Sequence, residues 1–250
     1  MEGTPTGVVA KIARLLGAFG SDSPAMGLAE LVRRTGLPKT TVHRLANELT
    51  AAGLLSRAGT HYVLGSRLFE LGQLVPDRRS LREAALPFLE DVFVATRETV
   101  HLAVIHDRQV MYIERLAGHG SRRTPSSVAG HLPIHTTATG KALLAHASPE
   151  FIDDVCSRGL PRRTQFTLVT AEQLRGELVK IRGTGIAIER EETRLGYVSV
   201  AAPVFGRDRT AVAAISVTGL TERIDPDHVT HTVRSAARGL TRVLQSCAAT

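Results

Sequence analysis

Tryptophan is absent from these 250 residues, and Phe, Trp and Tyr together supply only 4%. A core must therefore be built from Ala, Val, Leu and Ile. The hydrophobic share of 43% is enough for a packed interior and argues against global disorder. Cysteine is nearly missing. Cys156 and Cys247 stand 91 positions apart, and neither belongs to a Cys-x-x-Cys pair. A disulfide framework and a cysteine-rich zinc site are both disfavoured, and a reducing cytoplasmic compartment is the expectation. Apolar runs such as Val198 to Val204 fall far short of the roughly 18 residues that a membrane-spanning helix needs. The start, Met1-Glu2-Gly3-Thr4-Pro5, has no basic stretch followed by an apolar one, so a secretory leader is not expected. Lysine is scarce: four of the 31 basic residues are Lys and 27 are Arg.

That preference for arginine is the first positive signal. Arg forms bidentate contacts to phosphate and guanine that Lys cannot. The net charge is +7, and it is uneven. Residues 1–80 carry ten basic against six acidic side chains, and the remaining 170 carry 21 against 18. A small basic N-terminal domain, with nucleic acid as one reason to have it, is consistent with this bias; a merely solvated basic surface is the alternative.

Periodicity orders the N-terminal part. Val8, Ile12, Leu15, Leu16 and Phe19 predict an amphipathic helix over 7–20, broken by Gly20 to Pro24. A second helix is expected over 27–34. Gly36 suits a left-handed helix stop and Pro38 the first turn of the next helix. The third helix is expected over 38–52, with Val42, Leu45, Ala46 and Leu49 on one face and Thr40, Thr41, His43, Arg44 and Asn47 on the other. Two short strands, 54–57 and 61–64, flank a hairpin turn. Helix, helix, turn, helix and β-ribbon in that order make a winged helix-turn-helix. A helix over 66–74 follows, then a polar break at Pro76 to Ser80, then a helix over 80–97. Its stripe of Leu81, Ala84, Ala85, Phe88, Leu89, Val92 and Phe93 is expected to pack between subunits or domains, with its own domain's core as the alternative. Pro87 is expected to kink or end that helix. Beyond it, strands (Val100 to Ile105, Val110 to Ile113, Gly185 to Glu189, Ser199 to Val204, Ala211 to Thr218) alternate with helices near 139–147, 149–157, 171–183 and 226–247, with a polar loop at Gly118 to Ser127. The pattern predicts an α+β sensor-like domain around one antiparallel sheet.

These residues resemble the IclR-type bacterial transcriptional regulators. Gly27 to Leu31 followed by Thr35 to Leu45 resembles that family's helix-turn-helix signature. Tyr62 to Gly65, with Leu68 and Leu71-Gly72, resembles its wing and linker start. Glu98 to Ala103 and Tyr112 to Arg115 resemble its first effector-domain strands, and Leu132 to His135 with Gly140 to Ala145 its central motif. Glu191-Glu192, Gly196, Val200 to Val204 and Ala213 to Val217 resemble the C-terminal pattern. The resemblance spans about residues 7–245. It implies a winged helix-turn-helix domain over 1–67, a linker helix region over 68–95 and a GAF-like antiparallel-sheet effector domain over 96–250. It further implies a homodimer or dimer of dimers that binds double-stranded operator DNA and a small catabolic metabolite. Repressor is preferred over activator from the family tendency alone.

A recognition helix needs one apolar face for docking and one polar face for base edges. Thr40, Thr41, Arg44 and Asn47 are expected in the major groove, where Arg reads guanine and Asn reads adenine. Lys39 and Thr41 serve equally as phosphate contacts. Arg57, in the wing, is a candidate for phosphate or minor groove; Arg33 and Arg34 are ambiguous, and His43 is assigned no base. Carried over from the family, the effector residues are Leu132 and Ala138 on one wall, Glu189 and Ser199 as polar groups with Tyr197 nearby, and Ser216 and Thr218 on one side of one strand. The alternative for Glu189 is a surface charge, and for Ser216 and Thr218 ordinary strand positions.

Other signals fail. Gly140-Lys141 lacks the upstream Gly and following Ser or Thr of a phosphate-binding loop, and Gly118-His119-Gly120 lacks a third Gly. There is no Gly-x-Ser-x-Gly elbow. His131/His135 and His228/His231 have no accompanying ligands, so no metal, cofactor or catalytic residue is expected. A small-molecule enzyme and a dimerisation module without DNA binding are the competing readings.

Overall fold

The structure is a computed structural model that describes residues 7–20, 23–117, 128 and 130–246. The polar loop at Gly118 to Ser127 and Cys247 therefore lie outside the described residues. Contacts divide the chain into two compact units, Met1–Arg79 and Ser80–Thr250.

The first unit contains α1 (Val8–Leu16), β1 (Ala25–Met26), α2 (Leu28–Thr35), α3 (Lys39–Ala51), β2 (Leu55–Ala58), β3 (His61–Leu64) and α4 (Ser66–Gln73). Its core joins Leu15, Leu31, Val42, Leu45, Leu49 and Leu55, so the apolar stripes of all three N-terminal helices meet. Gly36 is left-handed at φ 61° and stops α2. Pro38 sits one position outside α3, as its N-cap, and not in its first turn. Helix α1 ends at Leu16, before the expected residue 20, where Gly17 and Gly20 flank the turn. Strand β1 was not legible: two residues cannot carry an alternation. It pairs with β3, which also pairs with β2, in a three-stranded antiparallel sheet.

The second unit is built on a six-stranded antiparallel sheet, in the order β6-β5-β4-β9-β8-β7. The strands are β4 (Thr99–His106), β5 (Gln109–Leu116), β6 (His131–Pro133), β7 (Ala187–Arg190), β8 (Tyr197–Phe205) and β9 (Ala211–Leu220). Helices α5 (Pro76–Thr96) and α9 (Pro226–Ser246) cover one face. There Leu81, Ala85, Leu89 and Val92 pack on Val200, Ile215 and Val217. Helices α6 (Ala138–Leu144), α7 (Pro149–Ser157) and α8 (Ala171–Thr184) cover the other, over Ala103, Ala201 and Ala214. The two-residue period of β-structure sorts the side chains between these layers.

Two expectations about α5 need correction. Pro76 to Ser80 is no break: Pro76 opens the helix, a position that tolerates a missing N–H. Of the two outcomes expected at Pro87, a kink or an end, the end is not seen: the helix continues to Thr96. Pro87 and Glu83, whose carbonyl loses its donor, are both exposed, so water can serve that carbonyl. The stripe from Leu81 to Phe93 lies in the core of its own unit, the alternative reading of its sequence.

Candidate nucleic-acid interface and ligand pocket

In the first unit, the period of α3 buries Val42, Leu45, Ala46 and Leu49 and leaves Lys39, Thr40, His43, Arg44 and Asn47 exposed, with Thr41 half-buried. Pro38 offers no side-chain cap, so the first-turn N–H groups beside Lys39, Thr40 and Thr41 have the character of an anion site. Arg44 is paired with Glu48 one turn on, at 2.6 Å; being exposed, this pair is weak and holds the guanidinium only loosely. Asn47 is tied into a wing contact. Arg57 Nη2 donates to Asn47 Oδ1 at 3.0 Å and to the Tyr62 hydroxyl at 2.8 Å, and its guanidinium lies over the Tyr62 ring at 4.7 Å. His43 Nε2 is 3.4 Å from Asn47 Nδ2. The cross-strand register Arg57↔Tyr62 explains why Tyr62 joins the cluster; the hairpin turn carried that signal. Arg34 turns inward in function: it binds Glu30 at 2.7 Å, Ser23 Oγ at 2.6 Å and the Ala18 carbonyl at 3.1 Å. Arg33 pairs with the same Glu30.

In the second unit, one pocket collects all seven residues expected there, Leu132, Ala138, Glu189, Tyr197, Ser199, Ser216 and Thr218. Sheet register accounts for this. Glu189 pairs with Ser199, Ser199 with Thr218, and Ser216 with His101, so these side chains form adjoining rows on the α6 face. Ser199 Oγ and Thr218 Oγ1 are 2.9 Å apart, and Ser216 Oγ lies 3.4 Å from His101 Nδ1. The α6 N-terminus closes one wall with Thr137, Ala138 and Thr139. Gly140, behind it, admits no side chain: a Cβ there would stand 2.1 Å from the Ile134 carbonyl oxygen. The mouth is formed by Thr193, Arg194 and Tyr197, with the Arg194 guanidinium 5.4 Å from the Tyr197 ring centre. The cavity measures about 20 Å³, little more than one water needs. A larger guest requires the side chains at the mouth to swing outward.

Burial sets the electrostatics. Glu189 is pushed up to about 7 by burial, against the pull of the Thr193 N–H, which donates to its Oε1 at 3.0 Å. His101 is pushed down to about 3 by burial, with Arg115 adding to the effect, so it is a neutral ring. Burial likewise raises the Tyr112 hydroxyl. Such a floor offers hydroxyls, a neutral imidazole and a carboxyl group poised between its two forms, which suits a small oxygen-rich molecule. His101, Tyr112, Thr137, Thr139, Thr193 and Arg194 went unread in the sequence. His101 is the one polar side chain in the run Val100 to Ile105, and that was its signal.

Gly140-Lys141 has a structural explanation. Lys141 is 1% exposed and its Nζ binds Glu192 Oε1 at 2.5 Å and the Ile188 carbonyl at 2.9 Å. It fastens α6 to the segment that carries Glu189 and Thr193. Three of the histidines of the rejected metal pairs make separate contacts: His131 lies tilted against the His106 ring, His135 Nε2 meets the Pro161 carbonyl at 3.1 Å, and His228 meets Asp225 at 3.1 Å. Among the described residues, no helix is long and apolar enough to cross a membrane.

The comparisons with known proteins agree with this architecture. The model of the IclR helix-turn-helix domain matches residues 8–59, and that of the bacterial transcriptional regulator IclR C-terminal domain matches residues 73–242. The chain is 32% identical to the transcriptional repressor IclR of Escherichia coli, over 90% of this chain and 85% of that protein. It is 31% identical to a glycerol operon regulatory protein of Streptomyces griseus, over 96% and 92% of the two chains. Among solved structures, an IclR homolog from Microbacterium hydrocarbonoxydans in complex with 4-hydroxybenzoate superposes with a TM-score of 0.89 at 31% identity, covering 96% of this chain and 100% of that one. These relatives are transcriptional regulators, which sets the enzyme reading aside. With a winged helix-turn-helix unit and a sheet unit both matched, the chain belongs to the IclR family of bacterial transcriptional regulators.

Proposed function

We infer that this protein is a cytoplasmic, homodimeric repressor that releases or tightens on operator DNA when a small metabolite enters the pocket of its second unit. Residues 1–67 act on DNA, 96–250 bind the effector, and 68–95 join them. The observation that carries the reading is the continuous polar surface of α3 and the wing, where Arg57 and Asn47 are hydrogen-bonded at 3.0 Å beside exposed Lys39, Thr40 and Arg44. Thr40, Thr41, Arg44 and Asn47 face bases, and Lys39 and Arg57 face the backbone. The effector is a small oxygen-rich molecule held by Ser199, Ser216, Thr218 and Glu189, with Leu132, Ala138 and Tyr197 against its carbon frame. The 4-hydroxybenzoate in the Microbacterium hydrocarbonoxydans relative makes hydroxylated aromatic acids the first compounds to try. Differential affinity of the ligand for two dimer geometries supplies the switch.

The test is fluorescence anisotropy on DNA from the protein's own upstream region, against a scrambled duplex, at low and moderate salt. Preference for the native DNA that persists at moderate salt, and is lost in Arg44→Ala, supports specific readout. Equal binding that collapses with salt reports counterion release alone. No binding, with Arg44→Ala indistinguishable from the parent, overturns the reading. Transcription from the same DNA in vitro then reads the sign of regulation.

A further inference from the structure

A second cavity, of about 460 Å³, lies at the far end of β8 from the effector pocket. On β8 it is lined by Ala202, Pro203 and Phe205, whereas the first pocket uses Tyr197 and Ser199. The two cavities share no lining residue, and their nearest lining positions on β8, Ser199 and Ala202, are three steps apart, roughly 10 Å at the usual rise, so the cavities are distinct. Four arginines and a histidine line the second one: Arg182 from α8, Arg234, Arg238 and Arg242 from α9, and His146 after α6. No carboxylate lines it among the described residues.

We propose that this cavity is a second ligand site, for a small polyanion carrying at least two negative charges on a compact frame, such as a phosphate ester or a di- or tricarboxylate. Arg234, Arg238 and Arg242 recur every four residues and so stand in one row on α9. Like charges at that spacing repel one another, and a polyanion seated among them removes the penalty. Two of the arginines have structural duties in part. Arg182 Nη1 caps the Ala145 carbonyl at 3.0 Å, and Arg234 Nη2 donates to the Thr184 carbonyl at 3.3 Å. Those contacts leave Arg234 Nε, a buried donor, without a hydrogen-bond partner among the described residues, and His146 Nε2 is in the same condition. Buried polar atoms rarely go unpaired, and both belong to residues that line this cavity. Among the described residues, Arg238 and Arg242 form no ion pair with a carboxylate, and both are exposed at the rim, where Arg forks grip phosphate or carboxylate bidentately. The floor of Ala202, Pro203, Phe205 and Ala237 is apolar and fits a carbon frame. The volume falls within the range of about 300–1,000 Å³ found for small-molecule sites. A concave cavity of this kind favours a small ligand over the broad convex backbone of nucleic acid.

The experiment is calorimetric titration of the full chain with pyrophosphate and with citrate, at constant ionic strength, comparing the parent with Arg238→Ala/Arg242→Ala and with Arg238→Lys/Arg242→Lys. The expected result is saturable binding of at least one polyanion, about tenfold weaker or more in the alanine variant and partly restored in the lysine variant. Pyrophosphate and citrate distinguish a phosphate site from a polycarboxylate site. The alanine variant should melt, without polyanion, at or above the parent's temperature, because repulsion has been relieved. Polyanion should raise the parent's melting temperature and not the variant's. Unchanged polyanion binding in the variant, or no saturable heat from either compound with the parent, overturns the proposal. So does a variant that loses only DNA affinity, which would assign the arginines to the nucleic-acid backbone.

Discussion

Arg57, on the wing strand β2, donates at 3.0 Å to the amide oxygen of Asn47, on the exposed face of α3. The wing thus orients the side chain that reads adenine in the proposed complex: Arg57 fixes the amide oxygen, and the amide nitrogen lies 3.4 Å from His43 Nε2 on the same helix. The two residues should therefore behave as one unit. Asn47→Ala is expected to cost about 1–3 kcal/mol of operator affinity. In a double-mutant cycle with Arg57→Ala, measured by anisotropy, the combined loss should fall short of the sum by more than about 0.5 kcal/mol. Strict additivity would mean that the two side chains act separately.

The Lys141–Glu192 pair is buried, at 1% and 9% side-chain exposure. Breaking it from one side strands a charge. Lys141→Met is expected to destabilise by about 3–5 kcal/mol in urea unfolding, and Lys141→Met/Glu192→Met by distinctly less. A double variant as unstable as the two single losses added together would show that the pair is not the stabilising unit.

Two pocket residues give the stability opposite dependences on pH. Glu189 has a folded value of about 7 against an ordinary 4.5. As pH rises through this window the unfolded chain releases its proton first, so this group's contribution is whole below 4.5 and lost by about 7. His101 has a folded value of about 3 against an ordinary 6.5. On acidification the unfolded ring takes up a proton that the folded ring refuses, so its contribution is whole above 6.5 and lost towards 3. Between 4.5 and 6.5 the slopes oppose. Relative to the parent, Glu189→Gln should lose stability more steeply on going from pH 6.5 to 4.5, by an amount on the order of 3 kcal/mol over the full Glu189 window. Denaturant melts at stepped pH read this directly. A Glu189→Gln profile parallel to the parent's would show that this carboxyl titrates normally.

Gly140 is required by its surroundings. A methyl group at that position would meet the Ile134 carbonyl oxygen at 2.1 Å and Thr137 Oγ1 at 2.6 Å. Gly140→Ala should destabilise by about 1–3 kcal/mol or more, although alanine is the better helix former. Gly176→Ala, at a helical site with nothing within 4 Å, is the control and should stabilise by a few tenths of a kcal/mol or more. Equal effects at the two sites would remove the steric argument.

Much of this was readable along the chain. The polar face of α3 was visible because its apolar residues repeat with the helical period, and Ser216 and Thr218 were visible as a pair because strands repeat in two. What local pattern cannot show is which strands become neighbours. His101 reaches the pocket only because β4 lies beside β9, and the row of arginines on α9 becomes a cavity only because Arg182 and Phe205 close around it. Proline misled for a related reason: Pro87 looked like a helix end, but its missing hydrogen bond falls on the exposed side of α5. Arg34 was ambiguous because its partners Ser23 and Ala18 come from a preceding turn and helix end, outside any α2 periodicity.

The central strand β9 sends Ala213, Ile215 and Val217 to one layer and Ala214, Ser216 and Thr218 to the other. Structural integrity and, in the proposed effector pocket, ligand preference are thus written on alternate letters of the same segment. If the proposed pocket takes the effector, exchanging a hydroxyl for a methyl at position 216 or 218 changes its chemical preference without disturbing the neighbouring valine or isoleucine that packs the sheet against its helices. Only an insertion or deletion within the strand, by exchanging the two sets, would change both at once.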